Sequence, residues 1–275
     1  MGIVAIIQEA LRIGRAHKSL WLFGFIVGFG VSGSGGGGGQ PTPPAAATPP
    51  EPAVVLLLLL VGLAVLAGLV VLKFVSTGAL IEGVKRVRAN TAMTVGEGFR
   101  EGWAHWGVLF RIAVLYLLAS VASGALLAGS AYLAGTFLPG PGFFVAVAVA
   151  IVSGVPWLVT LYRWQAFAER IAVLENRRAM DAIRKARLFL HGRLRLGLKL
   201  LVASFLGVLF VVVLSLVVLA PVGALVFASS ALWGVIGAVG LGALTLLPVA
   251  FVAIAMIGIV TSGVWTIGYL TQVES

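Results

Sequence analysis

The sequence predicts an all-α fold: a polytopic membrane helical bundle of about six transmembrane helices, with cytoplasmic amphipathic helices and a three-fold internal repeat. Three observations predict it. The mean hydropathy is +1.12 and only 10% of the residues are charged, which is far outside the range of soluble proteins. The 19 Lys and Arg residues fall in clusters between long uncharged runs. A short polar sequence motif, which we call the recurring frame, also occurs three times.

The composition excludes several kinds of chemistry. The chain has no cysteine, which rules out disulfides, thiol catalysis and thiolate metal sites. Three His and nine acidic residues leave little material for a metal centre, so neither a metal nor another cofactor is predicted. A net charge of +10 is also found in nucleic-acid-binding proteins. In a membrane protein, however, basic residues mark the cytoplasmic side, so no nucleic-acid partner is expected.

The N-terminal third reads as two spans joined by a linker. A basic segment is followed by the apolar run "LWLFGFIVGFGVSG", and residues 33–52 then form a Gly/Pro-rich extracytoplasmic linker that cannot pack a core. Residues 53–72 are continuously apolar and would form about 30 Å of helix, the thickness of one bilayer core. The N-terminus also matches a signal-peptide pattern, an interpretation that the repeat described below disfavours.

Two longer uncharged runs complete the set of spans. Residues 112–162 are broken by "LPGPG", which predicts two helices joined by a tight turn. Residues 200–273 are also uncharged and would form either two long spans or spans with a re-entrant segment. The predicted spans are 19–33, 53–78, 107–137, 143–165, 196–222 and 243–268.

This assignment of spans predicts the orientation of the protein. It places every Lys and Arg on one side and only Glu51 on the other, a strong positive-inside signal. We therefore expect a multi-pass protein of the cell membrane, of the bacterial inner-membrane kind, with both termini in the cytoplasm.

The recurring frame divides the single membrane domain, residues 1–275, into three units of approximately 1–90, 91–176 and 177–275. Its copies are "EALRIGRAH" (9–17), "EGFREGWAH" (97–105) and "DAIRKARLF" (181–189). Each copy reads as an amphipathic helix on the membrane surface that precedes a span, with the acid and the Arg at i and i+3 placed to pair. The candidate membrane-interface or lipid-headgroup contacts are Glu9, Arg12, His17, Glu97, Arg100, His105, Asp181, Arg184, Lys185, Arg187, Arg193 and Arg195.

Three basic residues lie near the inner ends of predicted spans: Lys73, Arg111 and Arg163. Intramembrane charges are costly and often functional, although long basic side chains near span ends commonly extend to the interface. No acidic residue falls in the middle of a predicted span, which disfavours coupled ion transport. No catalytic residue is predicted.

Three segments carry a family resemblance: "AHKSLWLFGFIVGFG" (16–30), "STGALIEGVKRVRANTAMTVGEGFREG" (76–102) and "VLENRRAMDAIRKARLFLHGRLRLGLKLL" (173–201). They resemble a family of uncharacterised bacterial integral membrane proteins, which is similar to the membrane domain of certain glycerophosphodiester phosphodiesterases. The resemblance implies a six-helix membrane domain. It implies no catalysis, because the hydrolase's soluble catalytic domain is absent.

Three hypotheses about function follow. The first is a non-enzymatic scaffold or accessory subunit of a membrane assembly, which fits the inert span interiors. The second is a transporter or channel for a lipid or small apolar solute, and the third and least favoured is a lipid-processing enzyme. The expected partners are anionic lipid headgroups on the cytoplasmic side and other membrane protein subunits. A polar cavity between the repeats would favour transport, whereas a closed apolar core with large exposed patches would favour the scaffold.

Overall fold

The structure is a computed structural model that describes residues 2–32, 51–91, 93–137 and 140–273. The described residues form helices and no strands, which confirms the all-α prediction. The helices are α1 (Ile3–Ala16), α2 (Ser19–Ser32), α3 (Pro52–Arg88), α4 (Val95–Phe137), α5 (Pro141–Leu174), α6 (Ala179–Leu190) and α7 (Leu194–Val273). Most of the predicted linker 33–52 lies outside the described residues, but its last residue, Pro52, already begins α3, where proline is well tolerated.

Helix α7 is two helices joined at a break. Gly234 has a φ of 70°, a conformation that interrupts an α-helix and favours glycine. The break separates two long apolar segments, which we call α7a (Arg195–Ala228) and α7b (Gly242–Val273). Of the two alternatives for residues 200–273, the structure therefore has two long helices.

Among the described residues, five helical segments are long and apolar enough to cross a membrane: α3, α4, nearly all of α5, α7a and α7b. The sixth predicted span, 19–33, corresponds to α2, whose apolar part, Ser19–Phe29, is too short to be one of them. At 1.5 Å per residue, even all of α2 rises only about 20 Å, whereas the hydrocarbon core is about 30 Å thick. The structure thus supports five of the six predicted spans.

The second copy of the recurring frame is not a separate surface helix. Residues 97–105 occupy the first turns of α4, which continues without a break to Phe137. Nothing between the frame and the span stops a helix, since only Gly107 intervenes as a weak helix former. In contrast, α6 ends at Leu190 and is followed by His191 and by Gly192, which has a φ of 78°, a common helix stop. The expected arrangement of a separate amphipathic helix is therefore found in α1 and α6 only.

The protein core lies at one end of the bundle. We call this the charged end; it comprises residues 2–23, 73–91, 93–112, 163–200 and 255–273. In α3, the buried residues begin at Val75 and end at Val84. Bulky buried side chains of the core include Leu20, Phe23, Leu80, Ile112, Phe167, Ile171, Ile259 and Trp265. The apolar halves of α3 and α4 beyond the core are largely exposed, as expected for surfaces that face lipid.

Helices α2 and α7b approach each other through glycines. Gly24 and Gly28 of α2 lie against Gly258 of α7b, where an added Cβ would fall 2.9 Å from the amide nitrogen of Gly28. Small residues four apart allow membrane helices to pack this closely. This contact holds the short helix α2 against the core.

Candidate functional site

The polar groups of the charged end form two ion-pair clusters, of which the first joins α3 to α4. The guanidinium of Arg86 lies 3.1 Å from Glu101, 3.6 Å from Glu82 and 3.8 Å from Glu97. Partly exposed ion pairs contribute little stability individually, but a network with an arginine at its centre fixes geometry. This cluster holds the end of α3 against the start of α4.

The second cluster is centred on Glu175, in the turn after α5. The Lys185 ammonium lies 2.7 Å and 2.6 Å from its two carboxylate oxygens, and the Arg177 Nε donates to it at 3.0 Å. The Tyr269 hydroxyl, from α7b, also donates to this carboxylate. Partial burial acts to raise the pKa of Glu175, but the hydrogen bonds from Lys185, Tyr269 and Arg177 outweigh it and hold that pKa below its ordinary value. With this many hydrogen-bond donors, the Glu175 carboxylate links α5, α6 and α7b and is not available as a general base.

A buried arginine lies one turn before the Glu175 cluster. The side chain of Arg170 is only 6% exposed, and its Nη1 donates to the Ala166 carbonyl at 2.7 Å and to Glu169 at 3.1 Å. Glu169 also accepts a hydrogen bond of 3.0 Å from Gln165. Removing one partner of such a buried pair is strongly destabilising because it leaves an uncompensated charge. The pair therefore serves the packing of α5.

The predicted acid–arginine pairing has a different outcome in each copy of the frame. In α1, Arg12 and Glu9 form an ion pair of 2.7 Å, as expected. In α4, Glu97 instead accepts a hydrogen bond of 3.0 Å from the Thr94 amide, while its own amide donates to the Thr94 hydroxyl at 3.3 Å. This is a capping box, which the "TVGE" pattern at 94–97 contains and the sequence analysis missed. In α6, Asp181 and Arg184 both lie exposed.

The other candidate headgroup contacts fall into two groups. Several have partners within the protein. Lys185 binds Glu175, and the Nδ1 of His105 lies 2.9 Å from the Glu101 carbonyl oxygen. Two arginines make cation–π contacts with aromatic rings. Arg187 lies 5.1 Å from the centre of the Trp164 ring, and Arg193 lies 5.0 Å from that of Phe189. His17 caps the end of α1, and Arg100 and Arg195 are exposed. Headgroup binding by the exposed residues stays a prediction.

The three candidate intramembrane charges differ in burial. Lys73 and Arg111 are exposed, as expected for side chains that extend to an interface. Arg163 is only 6% exposed, and its guanidinium lies over Gly197 of α7a, where an added Cβ would overlap it. Gly197 therefore makes the space that a buried arginine needs between α5 and α7a.

An apolar cavity of about 450 Å³ lies between α1, α2, α7a and α7b. Arg15 of α1 stands among lining residues that are otherwise almost entirely apolar, including Leu11, Trp21, Phe210 and Val252. The sequence analysis missed this residue because this position of the frame is not an arginine in all three copies. The cavity can accommodate an apolar ligand, with one cation at its edge.

The apolar half of α3 makes no buried contact. None of its most apolar window is buried within the protein, and consecutive residues of "LLLLL" (56–60) are each between 54% and 65% exposed. A helix that is apolar on every side belongs in a membrane or in a core. This segment, residues 53–69, is therefore a complete helical surface that is open to lipid or to another helix.

The part of the chain that the structure describes contains no group of three or more His, Asp or Glu that could hold a metal ion. No family model matches this chain, and no curated protein or solved structure matches it either. The resemblance to the membrane domain of glycerophosphodiester phosphodiesterases therefore stays a prediction.

Proposed function

We propose that this protein is a non-enzymatic scaffold or accessory subunit of a membrane assembly. The observation that carries the proposal is the apolar half of α3, which is exposed on all sides although the charged half of the same helix is packed into the core. The proposed role of the charged end is to hold α3 in place, and that of residues 53–69 is to contact the transmembrane helix of a partner.

The shape of this segment suits helix–helix contact. Transmembrane helices associate through close packing, because lipid tails are as apolar as the helices themselves. Ala64 and Gly68 are four residues apart on one side of α3, and an added Cβ at Gly68 would meet nothing within 4 Å. A partner helix can approach the backbone closely there.

The way the charged groups are used supports a non-enzymatic role. Arg86, Glu175 and Arg170 each bind other side chains of the same protein. A general acid or base must instead be within reach of a substrate proton. The polar groups of these clusters serve to tie helices together.

The distribution of charge supports an orientation. All 19 Lys and Arg belong to the charged end, and basic residues favour the cytoplasmic side of a cell membrane. We propose that the charged end, including both termini, faces the cytoplasm of a bacterial inner membrane. Its exposed arginines would then contact anionic lipid headgroups, each at about 1 kcal/mol.

A transporter or channel for a lipid or small apolar solute is the second candidate. The cavity between α1, α2 and α7 favours it, because a site of about 450 Å³ has the size of known ligand sites. The single charge at this cavity favours the binding of a ligand over its passage across the membrane. A transport path would need a lining that continues from one side of the bilayer to the other.

Site-specific photocrosslinking in cells tests the scaffold proposal. A photoreactive residue at Leu59 of α3, which is 61% exposed, is compared with one at Leu126 of α4, which is 76% exposed. We expect a discrete adduct with another protein from position 59 and none from position 126, followed by identification of the partner by mass spectrometry. Lipid adducts alone at position 59, or the same protein adducts at both positions, would overturn the proposal. An adduct with a second copy alone would replace the accessory role with a homo-oligomer.

A further inference from the structure

The cavity between α1, α2, α7a and α7b has one polar group left to bind a ligand. Of its polar lining residues, Trp21 donates its indole N–H to the Gly14 carbonyl at 2.7 Å, and the Ser215 hydroxyl donates to the Val211 carbonyl at 2.7 Å. Both groups are therefore satisfied by the protein itself. Arg15 is exposed and makes no hydrogen bond or ion pair with any residue that the structure describes. The site thus offers an apolar wall and one uncompensated guanidinium.

The surroundings of Arg15 place it at the border between the charged end and the apolar halves of α7. A second cavity of about 530 Å³ adjoins the first and shares Leu11, Arg15 and Phe210 with it. Arg12 lines this second cavity, and its charge is partly used by Glu9 at 2.7 Å. The polar space at α1 therefore continues directly into the apolar space between α7a and α7b.

The apolar cavity is open at the outer surface of the helices. Phe210, Leu214 and Val218 line it on α7a and are 49%, 47% and 45% exposed. On α7b, Pro248 and Val252 lie in the lining. A polar solute would find almost no partner along this wall, whereas an acyl chain needs none.

We propose that this cavity binds an anionic phospholipid from the leaflet at the charged end, with one acyl chain between α7a and α7b and the phosphate on Arg15. The acyl chain gains little by leaving one apolar medium for another, so its contribution is shape complementarity. The guanidinium binds the headgroup, since its planar N–H groups match two phosphate oxygens. It favours an anionic lipid over a zwitterionic one, because the cationic group of a zwitterionic headgroup repels Arg15. This inference does not depend on the scaffold role, because it involves α1, α2 and α7 rather than α3.

Native mass spectrometry of the full chain tests the inference. The protein is reconstituted in vesicles that contain equal amounts of phosphatidylglycerol and phosphatidylcholine, extracted in mild detergent, and the retained lipid is counted. Wild type is compared with Arg15→Gln, with Lys85→Gln, which removes an equal charge from an exposed residue of α3 that pairs with Glu82 at 3.2 Å, and with Ala253→Phe, which fills the cavity. A parallel measurement offers inorganic phosphate alone to lipid-free protein.

We expect wild type to retain phosphatidylglycerol in preference to phosphatidylcholine. Arg15→Gln should reduce that retention about fivefold, the effect of about 1 kcal/mol for one basic residue near lipid, and Ala253→Phe should also reduce it, while Lys85→Gln should not. Equal losses in Arg15→Gln and Lys85→Gln would overturn the site, as would equal retention of the two lipids. Binding of phosphate alone without lipid retention would overturn the phospholipid as occupant. If Ala253→Phe does not fold, the comparison between Arg15→Gln and Lys85→Gln decides, because both side chains are exposed.

Discussion

Replacement of Gly258 by alanine should separate α2 from α7b. An added Cβ at Gly258 would overlap the carbonyl oxygen of Gly24, its nearest neighbour, and would lie 2.8 Å from the carbonyl carbon of Gly24 and 2.9 Å from the amide nitrogen of Gly28. Because non-bonded carbon atoms pack best at about 3.5–4.0 Å, the two backbones would have to move apart by at least about 1 Å. All three atoms belong to backbone, so no side chain can rotate away to relieve the overlap.

The expected cost follows from this displacement. A gap of about 0.5–1 Å forfeits roughly a quarter to a half of the dispersion energy of each atom pair across the contact. Overpacking of a close-packed interior costs about 1–3 kcal/mol. We therefore expect Gly258→Ala to lower the free energy of unfolding by about 2 kcal/mol, which lowers the folded-to-unfolded ratio about 30-fold.

The matched control is Gly124→Ala in α4, where an added Cβ would meet nothing within 4 Å. Alanine is the better helix former by up to about 1 kcal/mol, so this variant should be neutral or slightly stabilised. The measurement is unfolding of each purified protein in mixed micelles of increasing SDS content, followed by circular dichroism. If both variants unfold at the same SDS content as wild type, the close packing of α2 on α7b is refuted.

Two further predictions concern polar interactions, namely the hydrogen bonds of Glu175 and the capping box at Thr94. Because the pKa of Glu175 is lowered in the folded protein, its carboxylate should stabilise the fold fully above the ordinary pKa of 4.5 and lose that effect as the pH falls through the lowered value. Glu175→Gln should therefore melt at lower temperature than wild type at neutral pH, and the difference should shrink on acidification; a constant difference would contradict this. Thr94→Ala removes the capping box of α4 and should cost about 1 kcal/mol, whereas Thr94→Ser should retain most of it. Equal SDS stability of the two threonine variants would argue against the cap.

Local pattern was sufficient for some of the candidate site. The Glu9–Arg12 pair follows from spacing on one helical turn, and the capping box at Thr94 could have been found from its T-x-x-E pattern. The lack of a break between residues 97–105 and the following span could also have been noticed, because no proline or turn signal separates them.

Other features depend on residues that are distant in sequence. Tyr269 reaches Glu175 across 94 positions, and Arg163 lies over Gly197 because α5 and α7a happen to meet there. No local spacing predicts such contacts, since they depend on how whole helices are arranged. The unpaired state of Arg15 is likewise visible only once the neighbours of α1 are known.

The sequence by itself determined that this is a helical membrane protein, where its long apolar helices lie and which segments carry the charge. Hydropathy and charge suffice for that because each reports whether water or lipid solvates a residue better, and a bilayer strictly separates polar from apolar residues. Only the tertiary structure decided that the core lies at the charged end, that residues 53–69 are exposed on every side, and that α1, α2 and α7 enclose a cavity. Within a bilayer an apolar side chain is equally well solvated by lipid and by protein, so the sequence carries no periodicity that distinguishes a buried face from an exposed one.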